Sequence, residues 1–199
     1  MKTNSINNQA YQKGSSDTFK MDPLKFNLWA FMVTVVMTFA GLTSAYIVRR
    51  AEGEWTMFAL PEAFFYTSAI VIISSLTMHF AFKAAQKDEQ GKLKAGLWTT
   101  FLLGVAFCVG QFQGWGWLVN NGIYLAGNAN PAGSFLYVIS GLHFLHIIGA
   151  LIFLLVTIVA AHRNKLTSTN FRKLDLCSTF WHFLGALWIY LYLFLMLFR

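Results

Sequence analysis

The chain has 199 residues, of which 56% are hydrophobic and 17% aromatic but only 12% charged, against about a quarter charged in a soluble domain. Its formal net charge of +7 does not describe a nucleic-acid-binding face, because the lysines and arginines sit between long apolar runs, where such charges set membrane topology. What remains is a polytopic membrane protein, read as one unit.

Residues 1–25 are polar, carry Lys2, Lys13, Lys20 and Lys25, and are read as a cytoplasmic tail. No short apolar core with a small-residue cleavage site follows, so no removable signal peptide is expected. Residues 26–48 form the first predicted span, closed by Arg49 and Arg50; Thr34, Thr38, Gly41 and Ala45 make a small, weakly polar stripe at helical spacing, suited to close helix packing. A loop with Glu52, Glu54 and Trp55 leads to Pro61, which can open the next helix because the first turn needs no N–H partner. The second span covers residues 63–82 and holds His79 near its far end, and Lys83 to Lys94 is a charged hairpin loop.

The third span, residues 97–119, places Gly104, Cys108, Gln111 and Trp115 on one face and pairs Gly110 with Gly114 as a small-xxx-small step. This pattern predicts a packing face with one buried amide bonded to a neighbour. Residues 120–132 form an uncharged, turn-rich loop. The fourth span, residues 135–161, supplies more than the about 20 apolar residues a bilayer needs. His143 and His146, three apart, point to one side of it together with Ser140, Gly149 and Ala150. Ionisable side chains at membrane depth face protein or a cavity, so this side is expected inside a bundle. A basic loop from Arg163 to Lys173 precedes the fifth span, residues 174–198, where Trp181, Gly185, Trp188 and Tyr192 share a face. Cys108 and Cys177, without paired spacing, are read as free thiols.

The expected fold class is therefore an all-α membrane protein, a five-transmembrane-helix bundle spanning residues 26–199. Twelve lysines and arginines fall on the N-terminal side of the spans and three, Arg49, Arg50 and Arg199, on the other. The positive-inside rule puts the N-terminus in the cytoplasm and the C-terminus outside.

Whether the histidines hold a haem or a metal turns on depth. Counted from the cytoplasmic end at about 1.5 Å per residue, His79 lies roughly 6 Å deep, His182 roughly 12 Å, His146 roughly 22 Å and His143 roughly 27 Å. The closest pair on different helices, His79 and His182, is offset by about 6 Å and sits near the membrane edge. His143 and His146 share one helix, and no Asp, Glu or third imidazole stands at their depth. The histidines are read as polar contacts, with no metal or cofactor expected in this chain. All eight carboxylates lie in loops or at span ends, so a subunit that pumps protons by itself is not expected.

Four stretches in order are similar to one family. GSFLYVISGLHFLHIIGALIFL (residues 133–154), FWHFLGALWIYLYLF (180–194), LWTTFLLGVAFCVGQFQGW (97–115) and LWAFMVTVVMTFAGLTSAYIVRR (28–50), with SSLTMHFA (74–81) in support, resemble subunit III of haem–copper terminal oxidases in its five-helix form. Three departures accompany the resemblance: the family's usual carboxylates are replaced by Val35, Gly114 and Gly185. The family's proton-handling roles for them do not carry over.

The resemblance implies an accessory subunit without redox centres in the aerobic respiratory chain of a bacterial plasma membrane. It would pack on and stabilise the catalytic subunit I, beside subunit II, where haem and copper reduce dioxygen and protons are pumped, and it would hold membrane phospholipid. His143, His146, His182, Gln111 and Trp181 are then expected to make inter-helix contacts, with no catalytic residue, and Arg163 is a candidate lipid-headgroup contact. The alternative is a b-type haem membrane anchor in a quinol-linked complex, which an absorption spectrum of the chain alone distinguishes. A small transporter or assembly factor is a third reading, and it predicts unchanged oxidase content in a deletion strain.

Overall fold

The five apolar segments become five helices in the computed structural model, which describes residues 22–53, 59–125, 131–164, 166 and 171–198. The helices are α1 (Pro23–Ala51), α2 (Glu62–Gln86), α3 (Gln90–Asn120), α4 (Pro131–His162) and α5 (Arg172–Phe198), and each is long and apolar enough to cross a membrane. The polar tail up to residue 21, Glu54, Trp55, Lys165 and Arg199 lie outside the described residues.

Local chemistry sets the helix ends. Asp22 caps α1 by accepting from the Leu24 N–H at 3.1 Å, and Pro23 occupies the first helical turn, where its missing donor leaves nothing unpaired. Pro61 caps α2, so the helix begins one residue later, at Glu62. The charged stretch between α2 and α3 is largely helical rather than a loop. Lys, Ala and Gln are good helix formers, and only residues 87–89 turn the chain, with Asp88 in the left-handed region at φ 55°.

Cross-helix bonds fix the topology. Lys25 Nζ lies 3.1 Å from Asp175 Oδ2, which puts the starts of α1 and α5 at one end. At that end Lys94 Nζ donates to Asn164 Oδ1 and Gln90 Nε2 to the Leu166 carbonyl, joining the start of α3 to the end of α4. At the opposite end the Tyr46 hydroxyl donates to the Phe198 carbonyl and the Tyr137 hydroxyl to the Ile123 carbonyl. The helices therefore alternate direction, and α1 runs parallel to α5.

α2, α3, α4 and α5 form a closed ring in which each packs on the next and α5 returns to α2. α1 stands outside it and touches only α4 and α5 among the described helices. Its inward face is Met32, Val35, Phe39, Thr43 and Tyr46, spaced three and four residues apart. The small stripe of Thr34, Thr38, Gly41 and Ala45 faces outward instead. α2 and α3 approach most closely, because glycines on α3 receive side chains from α2. A Cβ at Gly114 would lie 2.5 Å from Phe64 Cε1, and one at Gly110 would collide with the Thr67 methyl.

Candidate functional site

The polar groups of the ring interior are arranged as pairs between helices. Three tryptophan indoles each donate to a serine on a neighbouring helix: Trp181 Nε1 to Ser74 Oγ at 3.2 Å, Trp188 Nε1 to Ser68 Oγ at 3.1 Å, and Trp115 Nε1 to Ser140 Oγ at 3.0 Å. Two of these join α5 to α2 and one joins α3 to α4. Gln111 Nε2 donates to Thr67 Oγ1 at 3.3 Å, and the hydroxyls of Thr77 and Thr100 meet at 2.8 Å, both linking α2 to α3. Thr67, Ser68, Ser74 and Ser140 each also donate to a carbonyl of their own helix, so these oxygens are both donors and acceptors, whereas of Thr77 and Thr100 one gives its single hydrogen to the other.

His143 is fully buried at the middle of this ring. Its imidazole stacks on Trp188, with centroids 5.2 Å apart, and meets the edges of Phe107 and Phe39 at 6.1 and 6.3 Å. Phe107 in turn lies edge-on to Trp188, as does Phe64 from α2, so four aromatic groups from four helices close the centre. His146, one turn on, is half-buried under Phe31 and Phe39 of α1, and its Nδ1 pairs with the Leu142 carbonyl of its own helix. His182 is half-buried on α5, while His79 on α2 and Arg163 beyond the end of α4 are exposed. The structure thus brings Gln111, Trp181 and His143 into the ring interior, leaves His146 on the α1 seam, and puts Arg163 at the ring's basic end.

Sequence reasoning placed Trp115 and Trp188 on packing faces but did not pair them with Ser140 and Ser68. The signal was available as a serine at the matching level of an antiparallel neighbour, once the neighbour is known. Among the described residues no three His, Cys, Asp or Glu side chains gather as a metal site. Between α2, α3, α4 and α5 lies a void of about 10 Å³, lined by Val71, Ser74, Gly104, Phe107, Ile147, Trp181 and Gly185. It is room for about one water and no more, so the interior offers no ligand chamber there.

The fold and interior define a multi-pass membrane protein whose buried polar groups serve helix pairing. The family model for cytochrome c oxidase subunit III matches residues 3–199. Similar proteins include a probable cytochrome c oxidase subunit 3 of Nocardia farcinica, 32% identical over 79% of each chain. A cytochrome bo(3) ubiquinol oxidase subunit 3 of Pseudomonas aeruginosa is 31% identical over 82% of this chain and 79% of its own length. A cytochrome c oxidase subunit 3 of Corynebacterium diphtheriae is 29% identical over 82% of each. The chain belongs to the cytochrome c oxidase subunit III family, a non-catalytic subunit of the haem–copper oxidases.

The three positions where the resemblance leads one to expect carboxylates, Val35, Gly114 and Gly185, are placed in the fold as follows. At Gly114 the Phe64 ring occupies the space a side chain would need. At Gly185 a Cβ would stand 3.1 Å from Val71 Cγ1 and 3.2 Å from Ser75 Oγ, tight but near to fitting. Val35 is buried on the inward face of α1, one turn before Phe39.

Proposed function

We propose that the chain is the accessory subunit of a proton-pumping terminal oxidase in a bacterial plasma membrane, packed on the catalytic subunit I and subunit II. Haem and copper belong to those partners in this reading. The observation that carries it is the match over residues 3–199, together with relatives named as subunit 3 of both cytochrome c and ubiquinol oxidases. That the same subunit serves oxidases named for two donors fits a part that does not touch the donor.

The N-terminus lies in the cytoplasm and the C-terminus outside. The excess of lysine and arginine at the end where α1, α3 and α5 begin supports this orientation. Residues 26–199 act as one unit behind the tail of residues 1–25. Within it Gln111, Trp181, His143, His146 and His182 hold helices to one another. Arg163, exposed at the basic end, is suited to a phospholipid headgroup. A detergent extract passed over a tagged copy of the chain tests the reading. Recovery of haem-containing partners that consume oxygen supports it, and oxygen uptake with each donor then assigns the complex. Recovery of the chain alone overturns it, as does a b-haem band in the isolated chain.

A further inference from the structure

The outward side of the α2–α5 seam carries polar side chains that no described residue satisfies. His146 and His162 bond carbonyls of their own helix, and His143 is enclosed by aromatic rings. His79, exposed, and His182, half-buried, make no hydrogen bond with any described residue, and neither does the half-buried Ser75. The three form one patch. A Cβ at Gly185 would stand 3.2 Å from Ser75 Oγ, so α2 and α5 touch at this point. His79 follows Ser75 by one turn and His182 precedes Gly185 by one turn, which carries both imidazoles from that contact toward the basic end. They are near enough to interact electrostatically.

Depth decides what can meet them. Ser75 lies about 12 Å inside Lys83 and about 20 Å inside Glu62, the charged residues that bracket the apolar part of α2. His182 lies about 10 Å inside Asp175. A lipid headgroup stays nearer the surface than Ser75, and an acyl chain offers no hydrogen-bonding atom. Ionisable side chains at membrane depth face protein or a water-filled cavity. The need recurs at the outer end of the same seam. A cavity of about 370 Å³ there is lined by Glu62, Tyr66 and Tyr192 among others, and their carboxylate and hydroxyls bond no described residue. The groove between α1 and α5 differs, because its one hydroxyl, that of Tyr190, is already paired with Thr43.

We propose that the α2–α5 face is the docking surface for a membrane-spanning helix of a partner protein. That helix presents a carboxylate or amide beside Ser75, His79 and His182, and a cation or donor beside Glu62, about 26 Å from His79 along α2. A single lipid carries its polar atoms at one end and cannot meet both levels, whereas a helix crossing the bilayer can. The inter-helix contact of His182 thereby extends to a helix outside this chain. The inference rests on the subunit reading for the existence of a partner and adds the face that meets it.

A photo-crosslinking side chain placed in the full chain, in its native membrane, tests the face. Ile72 on α2 and Ile152 on α4 are both exposed and serve as site and control. A higher yield of adducts with a second polypeptide from position 72 than from 152 is the expected result. Equal or lower yield, or adducts with lipid alone at position 72, overturns the proposal. Haem co-purified from the same membranes is read separately. Haem without a protein adduct at position 72 overturns the docking face and leaves the subunit reading standing. A protein adduct without haem supports the face and overturns the subunit reading. The double variant His79→Leu with His182→Leu gives a second arm. Co-purified haem, normalised to the amount of chain, is expected to fall about fivefold or more, and Asn at both positions to restore part of it. Undiminished haem in the leucine variant overturns the proposal, since leucine replaces a lipid-facing imidazole without loss.

Discussion

The four-helix ring and the helix outside it are held by different means. In the ring, side-chain hydrogen bonds in the interior join α2 to α3, α3 to α4 and α5 to α2, and glycines on α3 bring α2 close. In its middle α1 is held by apolar packing, with Met32 and Val35 buried and Phe31 and Phe39 against His146, His143 and Phe180. Its hydrogen bonds and ion pairs to the ring lie toward its ends. At the basic end Asp22 pairs with Arg172 and Lys25 with Asp175; toward the other, Thr43 meets the Tyr190 hydroxyl and Tyr46 bonds the Phe198 carbonyl. An open apolar groove of about 300 Å³ runs between α1 and α5, lined by Phe39, Ala40, Ala186 and Tyr190 among others. The lesson is that burial in a membrane does not require polar stitching. The ring has it because its helices close on one another, while α1 packs by one face and leaves the other exposed.

The comparison breaks most visibly at the ring centre. Trp188→Ala removes the ring that His143, Phe107 and Phe64 all pack on and strips Ser68 of its donor, with an expected loss of about 3–5 kcal/mol in denaturant titration of the purified complex. Gly114→Glu collides with Phe64, and the double variant with Phe64→Ala is expected to recover part of the lost stability. Equal stability of the single and double variants would contradict the reading that the Phe64 ring is what excludes a side chain at Gly114. Gly104→Ala brings a Cβ to 2.7 Å from both Leu151 and Trp181, and an overpacking loss of about 1–3 kcal/mol is expected on the same assay.

Smaller effects sharpen the contrast from the α1 side. Phe39→Ala should destabilise the complex less than Trp188→Ala, since lipid can fill space beside the groove. It should also raise labelling of a cysteine placed at His146 while one at Ser68 stays protected. Labelling at both would mean that α1 and the ring unfold together. Reversing one member of the exposed ion pairs, Arg172→Glu, should change stability by about 0–1 kcal/mol, and the exchange Asp22→Arg with Arg172→Asp should restore it. At the α2–α3 turn the ammonium of Lys92, bonded to Glu89 at 2.8 Å, holds that carboxyl below its usual range. A depressed carboxylate adds stability at neutral pH that is lost as pH falls through its folded-state value. Because solvent reaches both side chains, this pair should give only a small acid dependence, and Glu89→Gln should remove it.

The five helices were legible because each is an apolar run of bilayer length, and polar residues mark their ends. Their exact reach was not, since Lys, Ala and Gln extend α2 and α3 well past the apolar segments and leave only residues 87–89 to turn. Which face of α1 turns inward could not be read either. Bilayer and bundle are equally apolar, so the stripe of Thr34, Thr38, Gly41 and Ala45 and the row of Val35 and Phe39 offer equally good inward faces. The histidines show a third limit. Depth counting set His143 apart from any other imidazole, but aromatic partners such as Trp188 and Phe107 carry no polar signature for it to find. The Trp–Ser pairs needed the antiparallel register of α2 with α5 before Ser74 and Ser68 could be matched to Trp181 and Trp188.

The accessory role is tested most directly by oxygen uptake of the purified oxidase with and without this chain, measured through many turnovers and normalised to haem. The account predicts unchanged haem bands and a similar initial rate, followed by faster loss of activity when the chain is absent. Haem bands that disappear with the chain would contradict it.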